Sequence, residues 1–319
     1  MEGILNFIDI KHDSISIKKL SSLIGIDCVP HIIIKGYPGS GKKTAAIAYL
    51  TEKYGPAQIK KFIMECKIPS KTDAVLLTVL YTPYYYYFNL CSYGASDKAI
   101  LDSFLANIIY YKLVTHSCRY RTIIIDKADL LSHEAQQSLR RTLETKINSC
   151  RFIFIVGTKG SFIDALCSRC INIYMKSPTN KQLFDILYQI DSSLSNKKYN
   201  KIINAADRDI TRGLFLLKCY TKTGVIFTKN DINEGIINIS KMLLEKKHMV
   251  DIRKSINSIL KLWQPDLNII LLLFKELIKA NINIKKLVQL TSKYDFKLKH
   301  GNKTIYYIEG YCTEILSCI

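Results

Sequence analysis

Three consecutive isoleucines, Ile32–Ile34, sit between His31 and Lys35 and run straight into a glycine-bearing stretch, GYPGSGKKT, from Gly36 to Thr44. A short unbroken apolar run reads as a strand buried on both faces, and the pattern that follows Lys42 reads as a helix. The alternation then recurs. A β-rich run, AVLLTVLYTPYYYYFNL (Ala74 to Leu90), precedes a helical segment, DKAILDSFLANIIYY, on which Ile100, Phe104 and Leu105 form a core stripe. TIIID ends a strand at Asp126. HEAQQSLRRTLETK then puts Ala135, Leu139 and Leu143 on one helical face, and RFIFIV and INIYM supply two further strands. Continuous apolar strands alternating with helices predict an α/β unit whose parallel sheet is covered on both faces. In the tyrosine run Tyr84 to Tyr87, alternate rings must point to opposite faces, which predicts packing and edge structure rather than a base-stacking platform.

At Ser177-Pro178 the pattern changes. β signals fade and helical periodicity continues to the end, broken around TKTGVIFTKND, at Pro265 and at Gly301. Three parts are predicted: an α/β domain over residues 1–178, a small helical domain over 179–224 and an all-α domain over 225–319.

Charge sharpens the functional reading. Lys and Arg number 46 against 27 Asp and Glu, a formal net charge of +19. That balance favours an anionic partner, nucleic acid first, although a general lysine bias produces the same excess. No apolar run reaches membrane-spanning length, so no membrane partner is expected. The first residues carry no secretory signal pattern, and the ten cysteines read as reduced thiols of an intracellular protein. Cys167 and Cys170 lack the second pair that a zinc site needs, none of the six histidines has a partner at metal-binding spacing, and no structural metal is expected.

The glycine stretch carries the chemistry. Gly36, Gly41 and Lys42 have the spacing of a phosphate-binding loop, in which Gly39 and Ser40 would present backbone N–H groups and Lys42 would reach the β- and γ-phosphates. The following residue, where a Ser or Thr hydroxyl would hold Mg²⁺, is Lys43. Thr44 does not simply replace that hydroxyl, because one residue along a helix turns a side chain by about 100°. Asp126, at the end of an apolar strand, has the place of the carboxylate that holds Mg²⁺ through water, but the next position, where a Glu would orient the attacking water, is Lys127. Two lysines at metal and water positions predict a site that has lost hydrolysis. It is expected either to hold ATP or ADP structurally, without Mg²⁺, or to be closed by a Lys43–Asp126 ion pair.

The combination DKADLLSHEAQQSLRRTLE, ALCSRC and GYPGSGKKT resembles the small subunits of replication factor C, the eukaryotic sliding-clamp loader of the AAA+ family, and most of all the end-of-spiral subunit with a degenerate ATP site. KLKHGNKTIYYIEGY is similar to that subunit's collar. The resemblance implies an AAA+ domain, a helical lid and a helical collar through which a hetero-pentamer assembles. It implies that Arg169, in Ser168-Arg169-Cys170, is an arginine finger acting in trans on a neighbour's ATP, the competing reading being an arginine at the edge of the core in an ordinary ion pair. It also places Arg212 at the lid's nucleotide-sensing arginine and Lys98 at a DNA-contacting helix start; plain solvated side chains are the competing readings for these two. Its implied partners are the other loader subunits, the sliding clamp and primer–template DNA. Its implied location is the nucleus, or a cytoplasmic replication site for a virus. Two departures weaken nucleotide binding: the family's N-terminal W-V-x-K-Y-R-P segment is absent, and its Asn after the fourth strand is Gly157. The rival reading is a stand-alone basic AAA+-like protein that binds DNA or scaffolds a replication complex. An active P-loop ATPase is disfavoured by Lys43 and Lys127 together.

Overall fold

The computed structural model describes residues 13–26, 29–66, 75–90, 93, 96–110, 120–146, 149–158, 162–226, 229–262, 269–280, 284–300 and 304–317. The positions of Pro265 and Gly301, read as turns, lie outside them. The chain divides into two compact units, Met1–Leu194 with Asp207–Gly213, and Ser195–Ala206 with Leu214–Ile319.

The first unit is built on seven strands: β1 (His31–Gly36), β2 (Lys60–Cys66), β3 (Val75–Tyr81), β4 (Tyr85–Asn89), β5 (Arg121–Asp126), β6 (Cys150–Val156) and β7 (Cys170–Met175). They form one sheet in the order β2-β3-β4-β5-β6-β1-β7. From β4 to β7 every pairing is parallel, and the hairpin partners β2 and β3 join antiparallel at one side. Six helices accompany it: α1 (Ser14–Ser21), α2 (Lys42–Tyr54), α3 (Asp97–Tyr110), α4 (His133–Thr145), α5 (Asp164–Cys167) and α6 (Asn180–Ile190).

Strand alternation divides the core into two layers. Ile33, Ile123, Ile125, Phe152 and Phe154 face α3 and α4, where Ile100, Phe104, Ala135, Leu139 and Leu143 are buried. Ile32, Ile34, Ile124, Ile153 and Ile155 point the other way, onto Ala45, Ala46 and Tyr49 of α2 and Leu20 of α1. Each fully buried Ile or Phe contributes about 1.5–3 kcal/mol from leaving water, so these two layers dominate the stability of the unit.

Within the β-rich run, the Thr82 hydroxyl accepts the N–H groups of Tyr84 (3.3 Å) and Tyr85 (3.1 Å) and turns the chain between β3 and β4. The tyrosine run does not form the edge that the sequence predicts. β4 lies inside the sheet, and the edge on that side is β2, whose alternation of Phe62, Met64 and Cys66 with Lys61, Ile63 and Glu65 the sequence reading missed. The expected alternation of the rings holds only within β4, where Tyr85 and Tyr87 pack with the α2 layer and Tyr86 with the other; Tyr84, in the turn before the strand, joins the α2 layer as well.

The second unit is helical: α7 (Asn196–Ala206), the body of α8 (Ile210–Thr223), α9 (Lys229–Leu244), α10 (Met249–Leu262), α11 (Ile269–Ile278), α12 (Ile284–His300) and α13 (Thr304–Leu316). Ile236, Ile239, Ile256, Ile270, Leu273 and Ile308 are among its buried core. Inside it the Thr291 and Tyr311 hydroxyls meet at 2.9 Å, and Gly310 lets α13 approach Tyr294 of α12, where a Cβ would stand 3.0 Å from the ring.

Candidate nucleotide site

The glycine loop lies between the end of β1 and the start of α2. Gly36 pairs with Met175 of β7, so closely that a Cβ would lie 2.5 Å from the Met175 carbonyl oxygen and 2.9 Å from Ser40 Oγ. Gly39 has φ +67°, a left-handed conformation, and a Cβ there would overlap the Asp209 carboxylate. Gly41, at φ +83°, caps α2 from the left-handed region that glycine enters without steric cost. The Lys42 ammonium donates to the carbonyls of Gly36 (2.7 Å) and Tyr37 (2.6 Å), inside the loop itself. Thr44 stands half-buried in the first turn of α2. The loop is packed closely on both sides, by β7 at Gly36 and by the Asp209 carboxylate at Gly39, and Lys42 lies within it.

Lys43 does not pair directly with Asp126. Its ammonium sits over the Tyr87 ring, 3.9 Å from the centroid. Burial pulls its pKa below the usual lysine range, and the Asp126 carboxylate pulls part of the way back. Asp126 itself is engaged on both oxygens. The Tyr87 phenol donates to Oδ2 at 2.5 Å, and the backbone N–H of Lys127 donates to Oδ1 at 2.9 Å. Register explains the first bond: Tyr87 on β4 lies opposite Ile124 on β5, so its side chain shares a face with Asp126 two residues on. Lys127 is exposed and has φ 52°.

These side chains do not fit Mg²⁺. The ion needs near-octahedral oxygen coordination, and the position of its protein hydroxyl is held by an ammonium group, which has no lone pair to give. The described residues contain no cluster of three or more His, Cys, Asp or Glu that could hold a metal.

Asp129 accounts for Gly157. Its carboxylate accepts the Gly157 N–H at 3.0 Å, and a Cβ on Gly157 would come within 2.9 Å of Oδ2. Where the resemblance expects an Asn side chain, the space is taken by a buried carboxylate from the turn after β5. Asp209, just before α8, belongs to the same neighbourhood. It accepts the Arg212 N–H at 2.9 Å, while Ile210 N–H donates to the Gly39 carbonyl at 3.1 Å. Arg212 is half-buried in the first turn of α8.

Arg169 follows α5. That segment is positioned by Gln136 of α4, buried, whose amide donates to Leu131 O at 3.1 Å and accepts Ile163 N–H at 3.0 Å. The guanidinium donates to Ala165 O at 2.7 Å and pairs with Glu144 at 2.7 Å, and Arg140 approaches the same carboxylate at 3.6 Å. With 36% of its side chain exposed, Arg169 makes an ordinary surface ion pair. Lys98 lies in the first turn of α3, 3.3 Å from Glu134 of α4, and both are exposed. Tyr87, Asp129, Asp209 and Glu144 were not singled out in the sequence, since each acts through a neighbour distant along the chain.

A mostly parallel sheet, a glycine loop at the end of β1 and the Asp126 carboxylate at the end of β5, with β6 between those two strands, make an α/β domain of the P-loop kind, followed by a helical region. The chain is similar over nearly its whole length to replication factor C subunits. The chain is 24% identical to replication factor C subunit 3 of Arabidopsis thaliana across 97% of this chain and 93% of that one. It is 24% identical to replication factor C subunit 5 of Saccharomyces cerevisiae across 91% and 90%, and 22% identical to the human subunit 3 across 94% and 89%. No family model matches the chain. Among solved structures, a variant of Thermotoga maritima RuvB superposes with a TM-score of 0.48 at 16% identity, over 77% of this chain and 82% of that one. Among the described residues no helix is long and apolar enough to cross a membrane.

Proposed function

We infer that this chain is a non-hydrolysing small subunit of a replication factor C-like sliding-clamp loader. The observation that carries the reading is a contrast between two cationic places. Lys43 and Lys127 stand where metal and attacking water would be handled, so the chain's own site lacks the groups that turn ATP over. Arg169, by contrast, is partly exposed and held at the surface by the Glu144 carboxylate and the Ala165 carbonyl.

In this reading the phosphates of ATP or ADP are held by backbone N–H groups of the Gly39–Thr44 turn and by Lys42, with Arg212 nearby. Arg169 enters the neighbouring subunit's ATP site and stabilises the charge that develops on the transferred phosphoryl group. Residues 179–224 act as the lid and 225–319 as the collar of a hetero-oligomer. The sliding clamp and primer–template DNA are its partners, and Lys98 contacts a DNA phosphate. The place of work is the nucleus, or a cytoplasmic replication site if the source is a virus. The second reading, a stand-alone basic AAA+-like DNA-binding or scaffold protein, is favoured by Gly157, which has no side chain to sense a γ-phosphate.

The test is affinity purification of the tagged chain from its native cell, followed by ATPase assay of the recovered assembly with Arg169→Ala. The variant is expected to assemble and to lose turnover at one site by on the order of 10³-fold. Unchanged turnover would sink the finger assignment, and recovery without other P-loop subunits would favour the second reading.

A further inference from the structure

Tyr87 has no part in any phosphate-loop pattern, yet it touches both groups on which metal binding turns. Its phenol donates to Asp126 Oδ2 at 2.5 Å, and its ring face carries the Lys43 ammonium at 3.9 Å. The other Asp126 oxygen accepts Lys127 N–H. We propose that Tyr87 closes this site to divalent metal, so that the nucleotide it takes is the metal-free polyphosphate anion, with the Lys43 ammonium supplying the positive charge that Mg²⁺ supplies elsewhere. The proposal rests on the reading that nucleotide occupies the glycine loop.

Three physical points support it. A carboxylate that already accepts a phenol O–H and a backbone N–H is a weaker acceptor for the water shell of Mg²⁺, because its lone pairs are partly committed and its orientation is fixed. An ammonium group held on a ring face is a fixed point charge that repels a divalent cation and attracts phosphate. The arrangement is also anchored at both ends: Tyr87 by strand register with β5, and Lys43 by the first turn of α2. Replacing Lys43 alone therefore leaves Asp126 still engaged by the phenol. Removing the phenol alone leaves the ammonium in the metal's place. Both changes are needed to reopen the site.

The test is calorimetric titration of the full chain with ADP and with ATP, in EDTA and in excess Mg²⁺, for the native protein, Lys43→Thr, Tyr87→Phe and the double variant. A thermal unfolding scan checks that each variant is folded, and Tyr87→Phe keeps the packed ring. The native protein and both single variants are expected to bind nucleotide with little change on adding Mg²⁺, while Mg²⁺ tightens binding to the double variant by about 10-fold or more. Mg²⁺ tightening binding to the native protein by that factor overturns the proposal and leaves the nucleotide reading intact. A full Mg²⁺ response in Lys43→Thr alone overturns the role of Tyr87. A double variant as indifferent to Mg²⁺ as the native protein overturns it as well. Absence of nucleotide binding in every protein and both conditions overturns the nucleotide reading itself, and this proposal with it.

Discussion

His31 illustrates how a single buried group sets a pH limit on the fold. Its ring is 6% exposed at the start of β1, and Nδ1 accepts the Phe152 N–H at 3.1 Å. Burial, reinforced by the positive charge of Arg151, lowers its pKa from 6.5 to about 4. Between those values the unfolded chain binds a proton that the folded chain does not, so stability rises with pH and is lost as pH falls from 6.5 towards 4. At 1.36 kcal/mol per pH unit the full loss is about 3 kcal/mol. The unfolding midpoint is expected to drop steeply below pH 6.5, and His31→Asn, which keeps an acceptor but cannot titrate there, should flatten that part of the profile. An identical slope in the variant would assign the acid sensitivity to other groups. At the same scale lies the main lesson about the site. Lys43 and Lys127 stand out in the sequence, because their positions are fixed by the glycine pattern and by the end of TIIID. Tyr87, Asp129 and Asp209 could not be read that way. Their roles depend on strand register and on a turn that brings residue 209 against residue 39, and neither has a linear signature.

At the scale of elements, the starts of α3 and α4 are tied together rather than capped separately. Asp97 is 3% exposed, and its carboxylate accepts the Ser132 N–H at 2.6 Å and the Ser132 hydroxyl at 2.8 Å. The same hydroxyl accepts Ala135 N–H as the N-cap of α4. Ser132→Ala removes both interactions, and the cap alone is worth about 0.5–2 kcal/mol. A loss at the upper end of that range or beyond is expected in chemical denaturation. A change within experimental error would show that Asp97 finds another donor. Helices α2, α3 and α4 and strands β1, β5, β6 and β7 were legible because their apolar residues follow one period, whereas α1 was not read and β4 was not separated from the run before it. The β2–β3 side was less legible. Ile63, apolar yet exposed on the outward face, blurs the two-residue period of β2, and the turn at Thr82-Pro83 is made by a threonine hydroxyl instead of a glycine.

For the whole molecule, the excess of 19 positive charges is an electrostatic statement that no single contact captures. If the DNA reading is right, binding to duplex weakens with salt along a straight log–log line whose slope counts the phosphates neutralised. Lys98→Ala is expected to weaken binding about equally for all sequences and to reduce that slope by about 1. Glu134, 3.3 Å from the Lys98 ammonium, must give it up for a phosphate contact, so Glu134→Gln should strengthen binding where Lys98→Ala weakens it. An unchanged slope in Lys98→Ala would remove Lys98 from the interface. The charge was visible in the sequence, but the carboxylate opposing it at this helix start was not.

The Arg169–Glu144 pair sets a time-averaged occupancy. An ion pair of this exposure is worth at most about 1 kcal/mol, a factor of roughly five between held and released guanidinium. The guanidinium also donates to the Ala165 carbonyl at 2.7 Å, so leaving Glu144 does not by itself free it, while exposed side chains of this kind change rotamer within nanoseconds. If a neighbouring subunit offers a phosphate, as proposed, it meets a guanidinium whose surface contacts exchange many times before any domain can move.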